Sequence, residues 1–85
     1  MTQIIVYTTQ VCPKCNKLKE ILKTHNIEYQ ESDMTSPDAL TELRVNGVFS
    51  VTAPVLQVDN KFYTHEELFH GNAVKKEIID ELAEL

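Results

Sequence analysis

The chain has two cysteines, and they stand close together in Cys12-Pro13-Lys14-Cys15. Thiols at that spacing can close a disulfide, share a metal, or simply fill a core. Redox exchange runs through the thiolate, so what stabilises a negative sulfur decides which chemistry is open. Pro13 suits the first turn of a helix, where a missing N–H costs nothing. Cys12 then falls at or just before that turn, beside free backbone N–H groups and the positive end of the helix dipole. Its thiol is expected to ionise below the unperturbed value of ~8.5. Cys15 falls one turn further in, on the face of Leu18 and Leu22, and is expected to be buried and protonated. Such a pair works in two steps. Cys12 attacks a target disulfide, then Cys15 attacks Cys12 and releases the reduced target.

The rival chemistry is metal binding. Cys-Pro-x-Cys is also a zinc-knuckle pattern, and a tetrahedral site needs four ligands. No second cysteine pair exists, and His65 and His70 lie some fifty residues further on. Those two histidines sit in a segment explained by capping and helix packing. His25 reads as a helix-end residue beside the last carbonyls. A zinc or iron–sulfur centre bridging two chains, with two cysteines from each, stays open at this point.

The elements around the pair follow from periodicity. Ile4-Ile5-Val6-Tyr7 is a short apolar run without alternation, as expected of a strand buried on both faces. Thr8-Thr9-Gln10 turns into the cysteines. A helix from Pro13 to about His25 carries Cys15, Leu18, Ile21 and Leu22 on one face, and Asn26 stops it. Ile27 to Glu31 alternates like a strand. Ser36-Pro37 reads as an N-cap and a first helical residue, with Asp38 at the positive end. Leu40 and Leu43 are the expected buried stripe, and Asn46-Gly47 the stop. Val48 to Thr52 is irregular. Val55–Val58 and Lys61–Tyr63 form a hairpin around Asp59-Asn60. Thr64-His65-Glu66-Glu67 has the form of a capping box. It opens a short helix through Leu68 and Phe69 that Gly71 stops. Asn72 caps a last helix with the stripe Val74, Ile78, Ile79, Leu82 and Leu85. The fold class is α/β, in the order β-α-β-α-β-β-α. A four-stranded mixed sheet is expected, its first two strands parallel and its last two antiparallel.

Composition narrows the function classes. At 85 residues, with 42% hydrophobic and 25% charged residues, the chain suits one soluble domain spanning 1–85. No run approaches the ~18 apolar residues of a membrane span, and the first residues do not look like a signal peptide. A cytoplasmic monomer is the expectation. The net charge of −5 is uneven. Residues 1–30 carry Lys14, Lys17, Lys19 and Lys23 against Glu20 and Glu28, a net of +2. The remainder carries four bases against eleven acids, a net of −7. No broad basic face exists, which argues against nucleic acid.

With these residues in hand, the chain resembles the glutaredoxin branch of the thioredoxin superfamily. The likeness rests on Ile4–Tyr7, the Cys12-Pro13-Lys14-Cys15 helix start and Thr52-Ala53-Pro54 before the hairpin, and covers nearly the whole element order. It implies a thioredoxin-like fold and a dithiol–disulfide oxidoreductase with no cofactor beyond the cysteine pair. The family signature is Thr-Val-Pro with a cis proline, so the resemblance implies a cis Ala53–Pro54 bond, with Pro54 beside Cys12. It also implies a substrate groove of Thr52, Ala53 and Pro54. Pro13 and Lys14 at the helix start are further candidates for binding the substrate. Phe62 and Tyr63 fall on alternate faces of the hairpin strand, Phe62 toward the core and Tyr63 either plain surface or a partner contact. Glutathione-dependent members carry a lysine where Thr9 stands, and a Gly-Gly turn and an aspartate where Thr64-His65-Glu66 stand. Those departures argue against tight glutathione binding and make the glutathione-dependent function the alternative. The size and motif are similar to the small redoxins that serve ribonucleotide reductase, which makes that enzyme the candidate target. Their Trp-Ser-Gly-Phe segment is replaced by Phe62-Tyr63-Thr64-His65, which leaves the type of disulfide reductase open.

Overall fold

The computed structural model describes residues 3–49, 52–71 and 73–84. The elements are β1 (Ile4–Thr8), α1 (Pro13–Thr24), β2 (Gln30–Asp33), α2 (Pro37–Val45), β3 (Val55–Val58) and β4 (Lys61–Tyr63). After them come α3 (His65–Leu68), β5 (Phe69–His70), β6 (Ala73–Val74) and α4 (Lys76–Ala83). The main sheet has the order β2-β1-β3-β4. β1 runs parallel to β2 and antiparallel to β3, and β3 pairs antiparallel with β4.

β1 is central, and its side chains divide between two apolar layers. Ile4 and Val6 join Leu18 and Leu22 of α1, Leu56, Leu68, Phe69, Val74, Ile78 and Leu82. Tyr7 joins Met34, Ala39, Leu43, Val48 and Val55 on the opposite face, with Ile5 and Phe62 packed against them. Both faces are covered, so the run needs no polar alternation. Leu18, Leu22, Leu56 and Leu68 are fully buried. Each contributes roughly 1.5–3 kcal/mol of apolar burial.

The first two helices start and stop as their residues dictate. The Ser36 hydroxyl accepts the Ala39 N–H at 3.2 Å, capping α2. Both helices end in the same device. Asn26 (φ 57°) and Gly47 (φ 80°) take the left-handed conformation. Ile27 and Val48 then donate their N–H groups to the carbonyls of Leu22 and Leu43, both at 2.8 Å. Each such bond carries an apolar contact within one layer, the pattern of a Schellman stop.

Four expectations are corrected. The second strand is Gln30–Asp33, some three residues later than the alternation of Ile27 and Tyr29 indicates. Those two residues pack on the core before the strand begins. The strand itself is a polar edge held by pairing with β1, from Ile5 opposite Gln30 to Thr8 opposite Asp33. The buried pair of α2 is Ala39 and Leu43, with Leu40 half-buried at the flank. Gly71 (φ 64°) does not stop a helix, because α3 ends at Leu68 and Gly71 lies between the strands of a second, two-stranded sheet. The last helix begins after Lys75, so Val74 belongs to β6. Asn72 and Leu85 lie outside the described residues. Among the described residues, no helix is long and apolar enough to cross a membrane.

Candidate active site

Cys12 is the N-cap of α1 and Pro13 its first residue. The two cysteines form a disulfide, with Cα atoms 5.2 Å apart. The Cys12 sulfur accepts the Cys15 N–H at 3.1 Å, and the Asn16 N–H donates to the Cys12 carbonyl at 3.2 Å. One of the orphan donors of the helix start is therefore aimed at the sulfur, where a thiolate gains most from it. The pair is unequal. Cys12 is half-buried, whereas Cys15 is 1% exposed among the apolar residues of α1.

Three further features belong to the description of the site. The Ala53–Pro54 peptide is cis, as the resemblance implies. Pro54 is fully buried at the start of β3, Ala53 packs against the Tyr7 layer, and Thr52 is exposed. Ser50 and Val51, which lead into that turn, lie outside the described residues. Lys14, between the cysteines, holds its ammonium 5.6 Å from the centroid of the Phe69 ring. Phe69 is itself buried in the core layer under α1. Val11, directly before Cys12, is 88% exposed, an apolar side chain left in solvent at the approach to the helix start.

A further groove beside the disulfide carries no local signature in the sequence. A surface groove of about 340 Å³ is lined by Thr8, Thr9, Gln10, both cysteines, Asn16, Lys19, Glu31 and Asp33. Glu31 accepts from the buried Thr8 hydroxyl at 3.5 Å and pairs with Lys19 at 3.4 Å. Asp33 accepts from the hydroxyl and N–H of Thr35 at 2.6 and 2.9 Å. Those bonds hold its carboxyl below the usual carboxylate range. The signal that could have found these two acids is topological. The ends of neighbouring parallel strands share one edge of the sheet, so the end of β2 must lie beside the end of β1.

Tyr63 is placed elsewhere. Its ring packs against the core layer and its hydroxyl donates to Glu81 of α4 at 2.8 Å. Like Pro13, Lys14, Thr52, Ala53 and Pro54, it does not line the groove at the disulfide. Burial, then the Glu81 hydrogen bond, pushes its hydroxyl up to about 12. Pro13 is exposed on the helix start. Among the described residues, no three histidine, cysteine or acidic side chains converge as a metal site.

A cysteine pair capping a helix, with a cis proline opening the third strand of a four-stranded mixed sheet, defines a thioredoxin-like redox protein. Comparison with known proteins makes this specific. Residues 4–63 match the family model for glutaredoxin. The chain belongs to the glutaredoxin family and is a thiol–disulfide oxidoreductase. It is similar in structure to the thioredoxin-like protein BC3987, solved as its T8A mutant, with a TM-score of 0.71 and 26% identity. That likeness covers 99% of this chain and 97% of the other. It shares its fold with the glutaredoxin-like NrdH-redoxin of Escherichia coli, with a TM-score of 0.68 and 18% identity. There the coverage is 94% of this chain and 93% of the other. Comparison of the sequence with curated proteins finds no significant match.

Proposed function

We propose that this protein reduces disulfides in other proteins, with Cys12 as the attacking thiol and Cys15 as the resolving one. The observation that carries this is the asymmetry of the pair, a half-buried helix cap against a sulfur 1% exposed. The Cys12 thiolate attacks one sulfur of the target disulfide, and the other leaves as a thiolate that takes a proton from solvent. The Cys15 thiol gives up its proton and attacks the Cys12 sulfur. The second target thiolate leaves, and the Cys12–Cys15 disulfide forms. Two electrons have passed to the target. A disulfide reductase must then return two electrons to the pair. No organic cofactor is needed, because the cysteines carry both electrons.

A protein target is favoured over glutathione by two features. Val11 offers apolar surface beside Cys12. By the resemblance, Thr9 and Thr64-His65-Glu66 replace the lysine and the Gly-Gly turn and aspartate with which glutathione-dependent members hold the tripeptide. Ribonucleotide reductase is the target that the sequence resemblance implies. In this reading Thr52, Ala53 and Pro54 receive the target strand beside Cys12. Pro13 and Lys14 present the helix start to it.

The deciding experiment is trapping. Cys15→Ser protein, exposed to cell extract, should accumulate mixed disulfides through Cys12 that release under reductant and identify the target. Recovery of glutathione alone on Cys12 would move the protein to the glutathione-dependent class. Recovery of nothing would contradict a two-cysteine mechanism.

A further inference from the structure

We propose that Asp33 makes the β2 side of the disulfide selective for targets with a basic residue next to the attacked cysteine. The inference deepens the protein-disulfide reading above and rests on it. It starts from the two flanks of Cys12, which differ in charge. On one flank the Lys14 ammonium is parked over the Phe69 ring. On the other, the groove that includes both cysteines carries two carboxylates and one ammonium.

Within that groove the ammonium is already engaged. Lys19 pairs with Glu31 at 3.4 Å, and Thr8 donates to the other Glu31 oxygen. The excess charge is therefore that of Asp33, which sits opposite Thr8 at the end of the parallel pair. Its two bonds from Thr35 hold the carboxyl in the ionised form. The side chain is fixed as well as charged.

The geometry of exchange brings a target into this field. A mixed disulfide at Cys12 places the target sulfur one bond from the Cys12 sulfur. The next residue of an extended target lies only ~3.3 Å further along the chain. A lysine or arginine there reaches the groove, whereas a glutamate meets the Asp33 carboxylate. Such charges are partly screened, and the interaction fades beyond ~10 Å at 0.1 M salt. The effect acts on rate and selectivity among targets and leaves the exchange chemistry as it is.

Three disulfide peptides test this, identical except for Lys, Gln or Glu beside the attacked cysteine, each reduced by the pre-reduced protein at low salt. The Lys peptide should react about threefold faster than Gln, and the Glu peptide slower by a similar factor, the scale of one exposed charge pair. The ratio between peptides cancels any change in thiolate reactivity, so it reads recognition alone. Asp33→Asn keeps an acceptor for Thr35 and should compress the Lys-to-Glu ratio toward one. Asp33→Lys should reverse it, and high salt should flatten it in the native protein. Equal rates for the three peptides, or an unchanged ratio in Asp33→Asn, would overturn the proposal and leave the oxidoreductase reading standing. Reduction of none of the three would overturn both.

Discussion

The β1–α1 seam and the segment after β4 pack into the same apolar layer, yet they are held in opposite ways. At the seam the local signals agree. A β-branched strand ends in a polar turn, a cysteine caps the helix, proline opens it, and Asn26 closes it. From Thr64 to Glu84 the local signals thin out after the Thr64–Glu67 capping box, where the Thr64 N–H donates to the Glu67 carboxylate at 3.3 Å. The helix α3 has four residues, and β5 and β6 have two each. The N-cap of α4 is Lys75, whose side chain makes no capping bond. What holds this segment is tertiary. Leu68, Phe69, Val74, Ile78 and Leu82 are buried together, and the Lys75 N–H donates to the Leu68 carbonyl at 2.7 Å. The chemistry therefore lives in a locally encoded unit, and its support lives in contacts that form only when the chain closes. Lys14 over Phe69 is one polar contact between the two regions, beside the apolar layer they share.

Mutations can separate chemistry from support. The largest effect is expected at the seam. Cys12→Ser should abolish turnover of a model disulfide substrate, while its urea midpoint matches that of the reduced native protein. Residual steady turnover would show that Cys15 can attack without it. The next effect lies in the support. Leu68→Ala should cost about 2–5 kcal/mol in urea unfolding, because it empties a fully buried site. Cys12 alkylation in the folded variant should persist. A cost below about 1 kcal/mol would mean that the segment is not tied to the core as described.

Smaller effects sharpen the join. Tyr63→Phe removes the bond to Glu81 and should cost about 0.5–1.5 kcal/mol. It should also change the alkaline limb. Tyr63 ionises at about 12 in the folded chain against an ordinary 10.0. Its contribution to stability is thus complete below pH 10 and is lost as pH rises toward 12, because the unfolded state releases the proton first. The variant should lack that part of the decline, and an identical alkaline limb would contradict the assignment. The smallest effect is expected at the contact between regions. Phe69→Leu keeps an apolar side chain but removes the ring face. A double-mutant cycle with Lys14→Ala should give a coupling of about 0.5–1 kcal/mol. No coupling would leave the two regions energetically separate at this point.

The same contrast explains what could be read from the sequence. The cysteine pair, the α1 start, the Ser36 cap, the Gly47 stop and the β3–β4 hairpin all depend on neighbours in the chain, and the structure has them as expected. The alternation puts β2 some three residues early because Ile27 and Tyr29 carry the apolar signal while Gln30–Asp33 carries the hydrogen bonds. A polar edge strand has little pattern of its own. The β5–β6 pair is too short for any period to register. In the site, Cys12 and Cys15 announce themselves by spacing. Glu31 and Asp33 reach the groove only through the register of β2 on β1, which no local pattern reveals. The place of Tyr63 depends on a hydroxyl bond to Glu81 of α4, eighteen residues away, which no local pattern reveals.

The central claim is that the two cysteines differ in kind, one reactive and one resolving. Competitive alkylation tests it most directly. The reduced native protein is treated at neutral pH with less than one equivalent of iodoacetamide, and the labelled sites are read by peptide mass spectrometry. The account predicts label almost entirely on Cys12, with Cys15 modified only after unfolding. Equal labelling of the two, or preference for Cys15, would contradict it.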